Sequence, residues 1–304
     1  MAVQSRNRIF FIPGKNPKPP AAEHQAWLWR CLLSSIRQVD AALIPELCAS
    51  PDNFQLVAWN EIYYQQTKAS EDDAPWIEAM LAKAGPDARD RREALSWRRR
   101  WVRLHYTLAD FFPFLIPLFP DPAAKNTVLE TERYFNNHAG TADQIRELLK
   151  APLRRMLAAG DRILLIGHSM GSIIAYDALW ELWHAEKNPG RIDTLLTLGS
   201  PLGMRFVQNR LLGFHNGPDR RFPGNVRRWI NIAAQGDLTA LDPNLRDDFA
   251  PMLNAGMIES ITDVHDIYTY FRNQGGLNVH RSYGYLAHPY IGRVVADWWR
   301  ANKG

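Results

Sequence analysis

The chain has 304 residues, of which 46% are hydrophobic and 22% charged, close to the average usage of globular domains. This balance excludes a disordered, collagen-like or coiled-coil chain, and the length allows a core that needs no disulfide or metal. The two cysteines, Cys31 and Cys48, do not form a CxxC pair, so we expect neither a disulfide framework nor a zinc site.

The net charge of +4 is unevenly distributed, because residues 89–103 contain seven arginines and two acidic residues, a net charge of +5. Such a patch can contact phosphate groups or an anionic membrane surface. We take Arg99 and Arg103 as the candidate membrane contacts, and a solvated helix face is the alternative. The rest of the chain offers no support for binding to nucleic acid.

The apolar run at the N-terminus is too short for a signal peptide and ends at Pro13. No uncharged apolar stretch of 18 residues occurs, so no membrane-spanning helix is predicted. From these observations we expect a soluble, cytoplasmic protein.

Short apolar runs alternate with helical patterns over most of the chain. Strands are predicted at 9–12, 54–59, 163–166, 195–198, 229–233 and 258–264. Helices are predicted at 27–39, 141–158, 171–185 and 290–300. Continuous apolar runs are typical of strands that are buried on both faces, and interleaved helices imply parallel crossovers. The pattern therefore predicts an α/β fold, with a mostly parallel central sheet covered by helices on both faces.

Residues 61–138 interrupt this alternation. Their helical pattern places one set of side chains, Trp97, Trp101, Leu104, Leu108 and Phe111, opposite another, Arg99, Arg103 and Asp110. The segment FFPFLIPLFPDP that follows is apolar, but its four prolines exclude a regular helix or a central strand. We expect one domain over residues 1–304, with 61–138 inserted as a lid or cap; an ordinary packed insertion is the alternative.

The sequence GHSMG at residues 167–171 matches the pattern G-x-S-x-G. An apolar run precedes it and a helical pattern follows, which predicts a tight turn that exposes Ser169 at the start of a helix. The flanking glycines avoid side-chain clashes in such a turn. There the amide of Met170 can donate to a developing oxyanion. A serine that only caps the helix is the alternative.

A serine hydroxyl needs a base to become a nucleophile, and the base needs an acid to orient it. In this strand–turn–helix arrangement the chain order is serine, acid, histidine. Asp237 follows the apolar run at 229–233, and Gly236 permits a sharp turn before it. Asp237 is therefore the candidate acid, with Asp242 as its competitor. A role as a turn cap is the alternative for Asp237.

Three histidines follow Asp237 in the chain. His265 lies within or at the end of a predicted strand, whereas a catalytic base should lie on a loop. His280 follows Gly275-Gly276, a loop signal, and His288 precedes a proline that suits a first helical turn. We favour His280 as the base and keep His288 as the alternative.

A second oxyanion donor is expected on the loop after the first strand. The backbone amide of Lys15 is the candidate there, with that of Gly14 as the alternative. The run GKNPK lacks the second glycine and the Ser/Thr of a phosphate-binding loop, so no nucleotide site is predicted.

With these motifs, the chain outside 61–138 resembles the α/β-hydrolases. GHSMGSIIAYDAL followed by TLGSPLG, at 197–203, resembles their lipase-like branch, which includes intracellular phospholipases, glycosylphosphatidylinositol inositol-deacylases and relatives of lecithin–cholesterol acyltransferase. The chain departs from this pattern in two ways: Pro13-Gly14 replaces the usual His-Gly, and there is no DDHD motif. The resemblance implies a triad of Ser169, Asp237 and His280 that uses neither metal nor cofactor.

The expected activity is that of a lipase-type serine esterase, which cleaves a small, lipid-like carboxylic ester through an acyl-enzyme. An acyltransferase of the same fold is one alternative. A non-catalytic α/β-hydrolase scaffold that binds a hydrophobic ligand is the other.

Overall fold

The computed structural model describes residues 5–69, 72–111 and 122–301. The strands of its main sheet are β1 (Asn7–Ile12), β2 (Phe54–Leu56), β3 (Arg162–His168), β4 (Ile192–Leu198), β5 (Val226–Ala234) and β6 (Ser260–Ile267). They pair in the order β2-β1-β3-β4-β5-β6, and every pairing is parallel. A short antiparallel ribbon contains β7 (Arg272–Asn273) and β8 (Gly276–Leu277).

The helices before β3 are α1 (Ala21–Asp40), α2 (Ile44–Leu47), α3 (Trp59–Tyr64), α4 (Ala74–Leu81), α5 (Ala88–Ala94), α6 (Trp97–Phe111), α7 (Pro122–Phe135) and α8 (Thr141–Ala158). The later ones are α9 (Met170–Trp180), α10 (Arg205–Gln208), α11 (Pro218–Arg221), α12 (Leu245–Asp248), α13 (Ala250–Asn254), α14 (Ser282–Leu286) and α15 (Pro289–Ala301). None of the helices in the described part of the chain combines the length and the apolarity needed to cross a bilayer.

The sheet has a hydrophobic core on each face. Ile9 and Phe11 of β1 pack with buried residues of α1 and α15, whereas Phe10 and Ile12 pack with residues of α8 and α9. Successive side chains of a strand point to opposite faces, so an apolar strand needs a helical layer on each side. Burial of each of these side chains contributes about 1.5–3 kcal/mol. The predicted parallel α/β architecture is confirmed.

One predicted strand is shorter than its apolar run suggested. The run at 54–59 forms β2 only as far as Leu56, and α3 begins at Trp59. The indole of Trp59 donates a hydrogen bond to the carbonyl of Pro13 at 2.7 Å and is fully buried. Tertiary packing of the indole against the loop after β1 therefore favours a helix where the sequence suggested a strand. The predicted helix at 171–185 is α-helical to Trp180 and then continues as a π-helical turn.

The insertion at 61–138 begins with elements that belong to the body of the domain. Ile77 and Met80 of α4 are buried in the same core as α1. Residues 112–121, most of the proline-rich segment, lie outside the described residues, as do the side chains of Leu108, Asp110 and Phe111 in α6. A lid role for the insertion therefore stays a prediction.

Candidate active site

The carboxyl ends of β1, β3 and β5 lie at one edge of the sheet because these strands run parallel. In open parallel sheets, ligands bind in the crevice outside this edge. Gly14, Ser169 and Asp237 each lie on a loop that leaves one of these strands. The sheet therefore brings together residues that are far apart in sequence.

Ser169 lies between β3 and α9 with φ +54° and ψ −126°. A positive φ is a strained conformation for a residue with a side chain. The turn leaves no room beside the flanking glycines, since a Cβ on Gly171 would lie 2.2 Å from the carbonyl oxygen of Ile12. A Cβ on Gly167 would lie 2.8 Å from Cα of Ser172. The predicted sharp bend at Ser169 is present, and the glycines permit it.

The sequence GSPL at residues 199–202 packs against the same turn. The hydroxyl of Ser172 donates to the carbonyl of Ser169 at 2.6 Å and lies 2.8 Å from the hydroxyl of Ser200. Gly199 has a φ of +53°, and a Cβ there would lie 2.6 Å from Oδ2 of Asp237. The motif therefore ties the serine turn to the neighbouring strand and leaves space for the carboxylate.

Asp237 is fully buried, and its Oδ2 lies 2.9 Å from Nδ1 of His280. The hydroxyl of Tyr285 donates to Oδ2 at 2.6 Å, and the amide of Thr239 donates to Oδ1 at 2.9 Å. Burial alone would raise the pKa of Asp237, but His280, Tyr285 and the Thr239 amide together lower it to about 2. The carboxylate is therefore ionised at neutral pH and can hold the proton on Nδ1.

The competing acid and bases lie away from this pair. Asp242 is exposed and accepts a hydrogen bond from the amide of Asn244. His265 lies exposed on β6. His288 accepts from the amide of Tyr290 at the start of α15, and burial lowers the pKa of His288 to about 4.

Nε2 of His280 lies 3.3 Å from the hydroxyl of Thr239. In the described part of the chain, no hydrogen bond joins His280 to Ser169. Both residues nevertheless line one cavity of about 90 Å³ beside Gly14 and Lys15. Catalytic hydrogen bonds are often long in ligand-free enzymes and shorten when substrate binds.

His168 is a site residue that the sequence patterns did not single out. Its Nε2 donates to the backbone carbonyl of His280 at 2.7 Å, and the two rings lie 4.8 Å apart. A carbonyl only accepts hydrogen bonds, so the proton is on Nε2. Burial, with a smaller contribution from His280, lowers the pKa of His168 well below its ordinary value, so the ring is neutral. The available sequence signal was a polar ring at the end of an apolar strand.

The candidate oxyanion donors lie beside the serine. Met170 is the first residue of α9, where an amide has no carbonyl partner within the helix. A Cβ on Gly14 would lie 2.9 Å from Cβ of Ser169, so the loop after β1 passes directly against it. Lys15 follows Gly14 and lines two cavities that also include Ser169.

An apolar cavity of about 140 Å³ adjoins Ser169 and Met170. Its apolar lining includes Ile173, Pro201, Met204, Phe206, Val207 and Leu238. A larger cavity of about 720 Å³, lined by Arg103, Asp242 and Asp248 among others, does not include Ser169. Of these two cavities, only the apolar one includes Ser169.

Arg99 and Arg103, which we expected to contact a membrane, contact the loops around the site. Arg99 donates to the carbonyls of Leu277 at 2.5 Å and Gly236 at 3.5 Å, and Arg103 donates to the carbonyl of Leu241 at 2.8 Å. The opposite side of α6 exposes apolar side chains, including 74% of Trp97. The sequence predicted that α6 has an apolar face and an arginine face. It did not predict that the arginine face is the one that packs on the protein.

Among the described residues, no group of three or more His, Cys, Asp or Glu side chains is arranged to hold a metal ion. Comparison of the chain with protein-family models, curated proteins and solved structures found no match.

Proposed function

We propose that this chain is a serine esterase with the α/β-hydrolase fold, and that Ser169, His280 and Asp237 are its nucleophile, base and acid. One observation carries the proposal. Ser169, in a strained strand–helix turn, shares a cavity with His280. Nδ1 of His280 is hydrogen-bonded to the buried, ionised carboxylate of Asp237. Strained backbone and perturbed carboxyl groups that converge on one cavity are typical of catalytic sites.

The reaction has two halves. Nε2 of His280 takes the proton of Ser169 as Oγ attacks the ester carbonyl, and the amides of Met170 and Lys15 donate to the oxyanion. His280 then returns the proton to the leaving alcohol, which leaves an acyl group on Ser169. Water, deprotonated by the same nitrogen, attacks the acyl carbonyl. The bond to Oγ then breaks, His280 returns the proton to Oγ of Ser169, and the carboxylic acid is released. Asp237 stays ionised throughout and stabilises the imidazolium.

The size of the apolar cavity limits the acyl group. At about 140 Å³ it is well below the 300–1,000 Å³ typical of pockets that enclose a drug-sized ligand. It therefore suits a short acyl chain better than a long one. The acyl chain would contact Ile173, Met204 and Leu238.

The test is hydrolysis of p-nitrophenyl butanoate together with labelling by a fluorophosphonate probe. The wild-type chain should do both, and Ser169→Ala should do neither while keeping its circular dichroism spectrum. Asp237→Asn should lose most of the activity, whereas the matched variant Asp242→Asn should keep it. If Ser169→Ala retains wild-type hydrolysis, or if the wild type neither hydrolyses nor reacts, the proposal is wrong.

A further inference from the structure

A group of cations lines the cavity that contains both Ser169 and His280. Lys15, Lys18 and Arg281 all contribute to its wall. The described residues of this wall include no carboxylate. The cavity thus differs in chemistry from the apolar cavity, which also includes Ser169.

These cations are only partly neutralised by their neighbours. Arg281 is paired with Asp73, but the same carboxylate also lies 3.0 Å from Nζ of Lys68. Nζ of Lys18 donates to the backbone carbonyl of Lys15 at 2.7 Å, and within the described chain it has no ion pair. Nε of Arg281 is buried and has no hydrogen-bond partner among the described residues. Lys15 is paired with Glu130 at 3.6 Å, so the positive charge left for an anion is that of Lys18 and of Arg281, which shares Asp73 with Lys68.

The electrostatics of Lys18 agree with this arrangement. Burial, aided by Arg281 and opposed by Asp73, lowers the pKa of Lys18 to about 7. An ammonium held among other cations in a poorly solvated place is stabilised when an anion binds next to it. A bound anion would therefore restore the charged form of Lys18 and gain affinity from it.

The position of His280 identifies the part of the substrate that enters this cavity. The histidine that takes the serine proton later protonates the leaving oxygen, so the leaving alcohol lies on the side of His280. A neighbouring cavity also touches His280, but it does not include Ser169. The cationic cavity contains both residues, and the apolar one remains for the acyl chain.

We propose that the substrate, given the esterase function above, is an ester whose leaving alcohol bears an anionic oxygen group, a phosphate or a carboxylate, and that Lys18 and Arg281 bind this group. The volume of the cavity, about 90 Å³, is about three times the share of one water molecule in the liquid. This is room for a small anionic group. Lys15 also lines this cavity, but its Nζ lies 3.6 Å from a carboxylate oxygen of Glu130, so the anion is assigned to Lys18 and Arg281.

The experiment compares butanoate esters of three alcohols of similar size by the release of butanoate. The alcohols are 2-hydroxyethyl phosphate, 3-hydroxypropanoate and 2-methoxyethanol, which carry a phosphate, a carboxylate and no charge. The wild type should show a kcat/KM at least tenfold higher for a charged ester than for the neutral one. The better of the two charged esters identifies the anion.

The variant Lys18→Met should reduce this preference about tenfold, and Lys18→Arg should retain most of it. The matched control is Lys187→Met, an exposed lysine beyond α9, which should leave the ratio unchanged. The ratio of kcat/KM for the charged ester to that for the neutral ester is measured on a single preparation of each variant. Partial unfolding of a variant therefore does not affect this ratio. A wild type that hydrolyses all three esters equally overturns the anionic substrate and leaves the esterase function standing. A wild type that hydrolyses none and resists the fluorophosphonate probe overturns both.

Discussion

The hydroxyl of Tyr285 donates to the carboxylate of Asp237 at 2.6 Å and accepts from the amide of Ala234 at 2.8 Å. Burial, with a smaller contribution from Asp237, raises the pKa of Tyr285 well above its ordinary value, so the hydroxyl keeps its proton. Tyr285 therefore holds Oδ2 of Asp237, the same oxygen that lies 2.9 Å from Nδ1 of His280. It couples the end of β5 to α14.

The variant Tyr285→Phe should lower kcat about tenfold with little change in KM, because the carboxylate that orients His280 loses a strong donor. Its free energy of unfolding should fall by about 1–3 kcal/mol, since the Ala234 amide is left unpaired. Tyr283→Phe is the matched control, because the hydroxyl of Tyr283 is buried without a partner in the described structure. Steady-state kinetics and urea unfolding of both variants provide the measurement. Equal effects from the two variants would contradict the role of Tyr285.

Removal of each histidine distinguishes the base. His280→Ala should reduce kcat by about 10²–10⁴, the contribution expected of a positioned acid–base group. His288→Ala should keep near wild-type kinetics but lose about 0.5–2 kcal/mol of stability, because His288 caps the amide of Tyr290 at the start of α15. Kinetics with p-nitrophenyl butanoate and thermal unfolding measure the two effects. A larger loss of activity in His288→Ala would reverse the assignment.

The sequence predicted the parts of the site that depend on local pattern. The strand–turn–helix at Ser169 follows from an apolar run, two glycines and a helical period, and Asp237 follows from its position after a strand. The sequence left both His280 and His288 open as partners of Asp237, because no local pattern says which loop reaches a carboxylate 43 residues away. Chain order limited the candidate bases to the histidines after Asp237, and only the tertiary structure showed that His280 pairs with it.

Other features had no local signal. Lys18 and Arg281 meet at one cavity although they lie at opposite ends of the chain. The orientation of α6 was equally hidden, because an amphipathic period gives two faces without saying which one packs on the protein. An apolar face is normally the buried one, whereas here the arginines bond to carbonyls of neighbouring loops.

Arg99 joins the loops that carry Asp237 and His280, since its acceptors are the carbonyls of Gly236 and Leu277. Arg99→Ala should lower kcat about fivefold to tenfold at unchanged KM, and Arg99→Lys should recover part of the loss. Arg100→Ala, at an exposed neighbouring position of α6, is the control and should match the wild type. The role in positioning would be disproved by a rise in KM alone.

The loop after β1 can be displaced by a substitution at a residue outside the proposed triad. In Gly14→Ala the new methyl group would lie 2.9 Å from Cβ of Ser169 and 3.0 Å from Nδ1 of His168, so the loop must move away. Loss of one oxyanion donor should lower kcat/KM about 10²-fold. Gly85→Ala, where no atom lies within 4 Å of the new methyl, should have no effect. Unaltered kinetics in Gly14→Ala would remove this loop from the oxyanion site.

Asp177 of α9 is a buried carboxyl group that takes no part in the proposed chemistry. It accepts hydrogen bonds from the hydroxyl of Tyr134 at 3.1 Å and from the amide of Leu212 at 3.0 Å. Burial raises the pKa of Asp177 to about 7, and this outweighs the hydrogen bonds and the positive charge of Arg146. In the unfolded chain an aspartate titrates near pH 3.9.

A folded-state pKa above the unfolded one means that the native state binds the proton more tightly, so this group destabilises the fold at high pH. The penalty is complete above about pH 7, decreases as the pH falls from 7 to 4, and is absent below that. The two pKa values correspond to a penalty of up to about 4 kcal/mol. Asp177→Asn, which has no charge to bury, should therefore unfold at higher urea concentration than the wild type at pH 8, and this advantage should shrink towards pH 4. The exposed Asp219→Asn controls for net charge, and an advantage of equal size at both pH values would show that burial of the Asp177 charge is not its cause.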